Sequence, residues 1–310
     1  MNKRQKQVQQ SLLKSELEVI KELEKSYQQA IDDINGVIAN LMARKDTENL
    51  QAIIYQIKYQ QALKDELEAF LNVLHTRNYQ LIDDYLKDCY ENAHIGTLFD
   101  LQGQGVPLML PLNQEQMISA ITLNSKLSAP LYNALGFNIE YLKTAVRMEI
   151  SRGIAQSLSY QEMARNIKNT TNVDYNKSLR IAKTEGHRIQ QEATYNVQKR
   201  AIEKGADVVK QWDSTLDGKT RPTHRMLDGQ IVGVDEYFNS ESGYKALYPG
   251  GFGVASEDCN CRCCLLQRAK WALSDEEFTK MNGETNELQH FESVDDYNQF
   301  KNIFWEVTNK

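Results

Sequence analysis

Four of the chain's five cysteines lie within six residues, in the segment Cys259-Asn-Cys261-Arg-Cys263-Cys264. A histidine, His224, precedes the first of them by 35 residues. Thiolate sulfur and imidazole nitrogen are the ligands that Zn²⁺ prefers in structural sites, usually four in a tetrahedron. A structural zinc ion is therefore the preferred explanation of the cluster, and its predicted ligands are His224, Cys259, Cys261 and Cys263.

The spacing of these cysteines is unusual for zinc, because it forms overlapping CxC pairs and has no CxxC knuckle. Side chains at positions i and i+2 of a strand point to the same face. The pattern therefore predicts that Cys259, Cys261 and Cys263 line one side of a strand, with Arg262 on the other. The alternative is that some of these cysteines are small core residues that bind nothing. The role of Cys264 stays open.

The same residues also permit catalysis. A zinc ion with an open position, or a Cys/His nucleophile pair, with Glu185 as the base, would suit a hydrolase or nuclease. The chain has no HExxH motif, no H-x-E with P-C-x-x-C, and no glycine-rich phosphate loop. We therefore expect a protein that is not an enzyme. The alternative is a zinc-dependent hydrolase or nuclease that uses His224, Cys261 and Cys263.

Length and charge limit the possibilities further. The 310 residues, 41% hydrophobic and 25% charged, suggest roughly two domains. We expect no secretory signal, no membrane contact and reduced thiols in a cytosol. Residues 275–310 carry nine acids against three lysines, which accounts for the whole net charge of −6. Residues 180–225 carry ten basic against six acidic side chains, a mild bias that leaves DNA contact as an option.

Hydrophobic periodicity predicts the elements that must position this cluster. Apolar residues recur at helical spacing over the first 90 residues and indicate a two-helix hairpin, joined through the polar segment ARKDTEN. A helix ending at Gly205 is expected before the cluster, and Gly186 within it indicates a close helix crossing. The predicted division is a helical hairpin at 1–95, a loop at 96–113, a helical region at 114–177, a small mixed domain at 178–270 and an acidic tail at 271–310.

The small domain is expected to contain three strands, in the segments DVVKQWDS, QIVGV and CRCCLLQ. Turns are expected at Asp217-Gly218 and Asp228-Gly229. The predicted fold class is therefore α+β, with a mostly helical N-terminal two-thirds and a small mixed α+β domain. Such a domain has few large apolar residues, and a metal ion or the preceding helix is expected to support it.

Three segments in a fixed order carry a resemblance: RIAKTEGHRIQQEATYN, then KQWDSTLDGKTRPTHRMLDGQIV, then CNCRC. Their order and spacing resemble the Mu F-like family of minor head, or head-morphogenesis, proteins of tailed bacteriophages. The matching residues are Arg180, Thr184, Glu185, Trp212, Asp213, Asp217, Thr220, Arg221, His224, Asp228, Gly229, Cys261, Arg262 and Cys263.

The resemblance implies a structural role in a phage or prophage head. Such a protein would associate with the portal protein and with other capsid or scaffold proteins. The resemblance also leaves contact with DNA during packaging or ejection as an option. It would lie inside the virion head, and in the host cytoplasm during assembly. The motif residues would build the small domain: Asp217 and Asp228 as turn formers, Arg221 or Arg262 paired with Glu185, and Trp212 in the core.

Overall fold

A computed structural model describes residues 1–43, 57–122, 140–150, 160–270 and 296–308, together with positions 152, 156 and 158. The chain forms two compact units that are interleaved along the sequence. We call them the helical unit (Leu17–Asp84 and Ser128–Ala182) and the mixed unit (Met1–Glu16, Tyr85–Leu127 and Lys183–Lys310). The five consecutive segments predicted above therefore do not coincide with compact units.

The helices and strands agree with the predicted α+β class. The α-helices are α1 Lys3–Ala43, α2 Ile57–Gly103, α3 Gln114–Thr122, α4 Tyr160–Glu203, α5 Pro222–Arg225, α6 Ala255–Asp258 and α7 Tyr297–Thr308. Residues 140–150 are also helical. The strands are β1 Val208–Asp213, β2 Ile231–Val232, β3 Phe238–Asn239, β4 Lys245–Ala246 and β5 Cys264–Ala269.

The helical unit is held together by apolar side chains that recur at helical spacing. Tyr27, Ile34, Leu71 and Val146 are representative of a core in which aliphatic residues from several helices meet. Burial of such a stripe, rather than helix propensity, supplies most of the stability of helices packed in this way. Among the described residues, no helix combines the length and the apolar content that crossing a membrane requires.

The mixed unit is built on an antiparallel three-stranded sheet with the strand order β2-β1-β5. Val208, Lys210 and Trp212 alternate along β1 and are all buried. The Trp212 side chain is completely buried, as the sequence predicts, and its ring lies 5.2 Å from that of Phe238. Strands β3 and β4 form a separate two-stranded pair. The three strands expected from the sequence are therefore present as β1, β2 and β5.

Glutamine side chains form hydrogen bonds with backbone N–H and C=O groups on the outer edge of β5. Gln191 Oε1 accepts a hydrogen bond from the Leu265 backbone N–H at 2.7 Å. Gln104 Oε1 accepts one from the Ala269 N–H at 2.9 Å, and Gln104 Nε2 donates to the Gln267 carbonyl at 3.1 Å. These amides come from helix α4 and from the end of helix α2. They take the positions that the backbone of a neighbouring strand would otherwise fill.

Two helices extend further than the sequence suggests. The loop predicted from Gly96 begins only after Gly103, because α2 continues and buries Leu98 and Phe99. Burial of those side chains offsets the cost of a glycine within a helix. Likewise, the boundary predicted after residue 177 lies within the single helix α4.

Two glycines have the roles that their positions predict. Gly205 adopts a φ of +87°, and the Ala206 N–H donates to the Ala201 carbonyl, which ends α4 in a left-handed cap. Gly186 is a site of close approach, since a Cβ placed there would lie 2.6 Å from Cε1 of Tyr85. The close helix crossing expected at Gly186 is thus confirmed between α4 and α2.

The C-terminal helix α7 begins at Tyr297, within the segment predicted as an acidic tail. Tyr297 and Phe300 pack against Phe99 of α2, with ring centroids 5.5 and 5.4 Å apart. The ARKDTEN link and the start of the acidic tail, at residues 271–274, lie outside the described residues. So do the remaining residues of the acidic tail up to position 295.

Candidate metal centre

Three of the four predicted metal ligands meet in the interior of the mixed unit. Cys261 Sγ lies 3.6 Å and Cys263 Sγ 3.4 Å from Nδ1 of His224. The three ligand atoms all lie within 4.8 Å of one another. The side chains of His224, Cys261 and Cys263 are 1%, 5% and 2% exposed, so the cluster is closed to solvent.

Local structure brings these residues together from distant parts of the chain. His224 lies on the single-turn helix α5, which begins at Pro222, a residue suited to the first helical position. Cys261 and Cys263 lie in the extended segment immediately before β5. The intervening Arg262 is exposed while both cysteines are buried, as the predicted alternation of sides requires.

The imidazole of His224 is held from several sides. Its Nε2 lies 2.9 Å from Oε2 of Glu257, a buried residue of helix α6. The Phe252 ring stacks on the imidazole at 5.7 Å, and the Trp212 ring meets it edge-on at 5.5 Å. Because a carboxylate can only accept, Glu257 fixes the proton on Nε2 and leaves the Nδ1 lone pair facing the two thiols.

The two thiols share a strongly coupled environment. The pKa of Cys263 is lowered, chiefly because the Cys261 thiol donates a hydrogen bond to its thiolate. The pKa of Cys261 is raised well above its usual value, because it holds that shared proton and is buried. One thiolate is thus favoured in the folded protein, and thiolate is the form of cysteine that binds a metal.

The arrangement fits a tetrahedral metal ion. Zinc bonds to sulfur and nitrogen are about 2.0–2.3 Å long, which places the ligand atoms of a tetrahedron roughly 3.5 Å apart. The separations of 3.6 and 3.4 Å between the thiols and Nδ1 match that spacing. The donor set of two sulfurs and one imidazole nitrogen is one that zinc favours.

Cys259, the fourth predicted ligand, is not in this group. It caps the C-terminus of α6, and Asn260, which follows, adopts a left-handed φ of +54°. This turn interrupts the extended backbone on which the same-face prediction depends. The Cys259 carbonyl instead accepts a hydrogen bond from Nη2 of Arg221 at 2.6 Å. The prediction of a single face shared by three cysteines is therefore wrong, because only Cys261 and Cys263 share one.

The aspartates of the motif form turns, as expected. Asp217 Oδ1 accepts from the Lys219 N–H at 2.9 Å, and Asp228 Oδ1 accepts from the Ser214 N–H at 2.7 Å. Gly229 follows Asp228 with a φ of +77°, which favours glycine. Asp217 also forms an exposed ion pair with Arg262 at 2.7 Å, and the hydrogen bond from this guanidinium holds the pKa of Asp217 well below its usual range.

Glu185 pairs with an arginine, but not with either of those predicted. Its Oε2 lies 2.9 Å from Nε of Arg188, which also contacts Glu192 at 2.6 Å. Arg188 Nη2 donates in addition to the Ala120 carbonyl at 2.6 Å. The i,i+3 and i,i+4 spacing of these charges on one helix could have predicted the network. Arg180, the remaining arginine of the motif, is an exposed residue of α4 in the helical unit.

Sequence reasoning missed two residues beside the cluster. Glu257, which orients His224, carries no signal in the sequence, because its partner is 33 positions away. His187 was visible within the matched helix but was assigned no role. Its Nε2 is buried without a hydrogen-bond partner among the described residues. Burial lowers the pKa of His187 to about 4, so that imidazole is neutral at physiological pH.

Comparison with known proteins identifies the part of the chain that contains this cluster. The family model described as Phage Mu protein F like protein matches residues 144–266. This segment is similar to proteins of the Mu F-like family. The match contains His224, Cys261 and Cys263, and it confirms the resemblance found in the sequence motifs. No solved structure matches the chain.

Two curated relatives extend the similarity beyond the Mu F-like segment. The minor head protein GP7 of Bacillus phage SPP1 is 26% identical over 257 residues, which cover 79% of this chain and 80% of that protein. A protein of Enterococcus faecalis named NAD(+)–arginine ADP-ribosyltransferase EFV is 31% identical over 306 residues, which cover 96% of this chain. The chain spans only 60% of the length of that enterococcal protein.

Proposed function

We propose that the chain is a minor head protein of a tailed phage or prophage that associates with the portal protein during head assembly. The observation that carries the proposal is the alignment with the SPP1 minor head protein, which covers 79% of this chain and 80% of that protein. That alignment is longer than the Mu F-like match over residues 144–266, so it includes helical sequence outside that match. Location in the virion head, and in the host cytoplasm during assembly, follows from the same role.

We assign portal contact to the helical unit. The exposed face of helix α2 has a shallow, open groove there, formed by side chains of this one helix: Asn72, Val73, Thr76, Arg77, Gln80 and Leu81. Val73 is 68% exposed, although it is a large apolar residue within a helix. Apolar side chains that are exposed beside a polar rim are typical of protein contact sites. In this proposal the groove receives an apolar segment of the portal protein, or of a neighbouring capsid or scaffold protein.

The test is capture by immobilised portal protein from the same genome. Val73→Asp places a charge in the groove and is expected to reduce capture at least about tenfold, because an unpaired charge in an interface core costs more than 1.4 kcal/mol. Leu216→Asp is the matched control, since Leu216 is 69% exposed in the mixed unit. Equal capture of both variants would reject the groove. Failure of the unaltered chain to bind would reject portal association itself.

We also propose that the chain contacts DNA. Residues 180–225 carry the basic excess, and Lys199 and Lys219 are exposed there. Retention on double-stranded DNA should weaken steeply with salt, because phosphate contacts release counterions. A Lys199→Glu/Lys219→Glu variant should show a shallower salt dependence. Binding that is absent at low salt would remove DNA from the partners.

We infer that this chain is not an enzyme. The His224 cluster is closed to a substrate, since its side chains are no more than 5% exposed. The ADP-ribosyltransferase name belongs to a relative of which this chain spans 60%. Incubation of the purified chain with NAD⁺ and an arginine acceptor is expected to release no nicotinamide above the buffer rate. Release that persists through purification would replace this inference with an enzymatic role.

A further inference from the structure

We propose that His224 Nδ1, Cys261 Sγ and Cys263 Sγ bind one zinc ion, that Glu257 orients the histidine ligand, and that Cys259 takes no part. This inference is independent of portal contact. It rests on three buried ligand atoms that lie within 4.8 Å of one another.

The donor set selects the metal. Two thiolates and an imidazole are poor ligands for the hard ions Mg²⁺ and Ca²⁺, which take oxygen. Zinc accepts mixed sulfur and nitrogen sites and is not oxidised or reduced there. The rings of Trp212 and Phe252 pack against the imidazole of His224, and all three ligand side chains are buried. The three ligands leave the fourth position of a tetrahedron without a protein ligand, and the burial of the site is the feature that it shares with structural zinc sites.

Glu257 supplies the second observation that points to a ligand. Metal-bound histidines commonly donate their other ring N–H to a carboxylate, which fixes the tautomer and raises ligand basicity. Glu257 Oε2 occupies that position at 2.9 Å from Nε2 of His224. The carboxylate is itself held by the hydroxyls of Ser242, at 2.7 Å, and Thr223, at 3.1 Å. A buried carboxylate fixed by two hydroxyls keeps Nδ1 directed at the thiols.

The ion would connect three separate parts of the mixed unit. His224 belongs to α5, Glu257 to α6, and the two cysteines to the segment that leads into β5. Strands β2, β3 and β4 contain two residues each, so ladder hydrogen bonds contribute little to this region. Because the three ligands meet only in the folded protein, zinc would bind only that form and would add to the stability of this region.

The test is the zinc content of the reduced, full-length protein, dialysed after loading with zinc. We expect one zinc per chain in the unaltered protein and in Cys259→Ser and Cys264→Ser. We expect none in Cys261→Ser or Cys263→Ser. Glu257→Gln keeps the three ligands but changes the partner of Nε2, and its zinc affinity should fall roughly 10–100-fold. Loss of zinc from Cys259→Ser to the same extent as from Cys261→Ser would overturn the ligand assignment.

Measurements on the unaltered protein keep the proposal falsifiable if the ligand variants do not fold. A zinc chelator should lower its Tm, and added zinc should restore it. Replacement of zinc by Co²⁺ should produce the visible absorption of a tetrahedral site together with thiolate-to-metal charge transfer. A protein that retains no zinc, and whose Tm is the same with and without chelator, would overturn the proposal.

Discussion

The two units of the molecule differ in what they bury. Among the described residues, every buried charged side chain belongs to the mixed unit: Asp100, Glu185, Arg188, Glu192, Lys210, Glu257 and Asp258. The buried polar residues that the structure describes in the helical unit are uncharged: Ser26, Asn78, Thr171 and Ser178. The helical unit is therefore stabilised mainly by close packing and buried apolar area. The mixed unit depends in addition on partners for its buried charges.

The difference shows how a small sheet domain compensates for short strands. Asp100 illustrates the device, because its carboxylate accepts hydrogen bonds from the side-chain amides of Asn2, Gln5, Gln104 and Gln267. Such a network connects the N-terminus, helix α2 and strand β5 through polar contacts of defined geometry. Burial raises the pKa of Asp100 even though these amides favour its ionised form. Buried charges are costly unless each is paired, so the mixed unit should respond more sharply to loss of one partner.

Removal of the shared cation of the Glu185–Arg188–Glu192 network is expected to have the largest effect. Arg188→Ala leaves two buried carboxylates without their cation and should lower the free energy of unfolding by about 3–5 kcal/mol. Chemical denaturation measures the loss. Arg180→Ala is the control on the same helix, because Arg180 is exposed and its loss should change stability by no more than about 0.5 kcal/mol. Equal stability of the two variants would show that the buried network contributes nothing.

Truncation of an apolar core residue tests the stability of the helical unit. Leu71 of the helical unit is completely buried, and Leu71→Ala should cost about 2–5 kcal/mol through lost burial and a cavity. Because no charge is involved, the loss should be the same at pH 6 and pH 9. Val73→Ala on the same helix is the exposed control. A loss that changes with pH would contradict an apolar origin of this unit's stability.

Because of Lys210, the free energy of unfolding of the mixed unit should depend on pH in the alkaline range. Its Nζ is buried and donates to the Val234 carbonyl at 2.7 Å and the Leu247 carbonyl at 2.9 Å. Burial lowers the pKa of Lys210 to about 8, from the usual 10.5. Between those values the unfolded chain binds more protons than the folded one, so the free energy of unfolding should rise with pH.

The measurement is the pH profile of stability for the unaltered chain and for Lys210→Met. The difference between the two should grow in favour of the unaltered chain from pH 8 to 10.5, by about 3 kcal/mol at most. Lys245→Met, which removes an exposed lysine, should leave the profile unchanged. Parallel profiles for the unaltered chain and Lys210→Met would show that the Lys210 ammonium is not destabilised by burial.

The smallest effect is expected at the exposed ion pair of Arg262 and Asp217. Both side chains are well solvated, at 47% and 39% exposure. Arg262→Ala should therefore change the Tm less than Arg188→Ala or Leu71→Ala, and added salt should reduce even that change. Any stabilisation from the pair should fade in acid, as pH falls toward the lowered pKa of Asp217. A large loss of stability in Arg262→Ala would mean that the guanidinium has a further structural role.

Sequence patterns predicted the elements of this fold better than their ends. Val208, Trp212 and the turn at Asp228-Gly229 were readable because strand alternation and turn chemistry are local. The extension of α2 past Gly96 was not, because it depends on where Leu98 and Phe99 are buried. Leu17 shows the same limit, since the apolar stripe places it inward and it is 57% exposed. A stripe predicts which residues share a helix face, but not which part of that face finds a partner.

Some residues of the candidate metal centre could be predicted from the sequence, and others could not. Residue type and clustering indicated His224, Cys261 and Cys263, because few other roles concentrate thiols in this way. Cys259 was included wrongly, since the left-handed backbone of Asn260 cannot be read from alternation. The family motif favoured Arg221 or Arg262 as the partner of Glu185. The actual partner, Arg188, lies one turn further along the same helix. Glu257 required the three-dimensional structure.

The glutamine caps on strand β5 have a consequence for how densely this protein can be packed. An open strand edge is a template on which a second chain can add a strand, and this leads to aggregation at high concentration. Gln191 and Gln104 occupy backbone groups along the outer edge of β5, so other copies cannot easily pair with them. The small sheet is thereby limited in growth by side chains from its own helices. A chain that is stored beside many others in a confined volume benefits from such an edge.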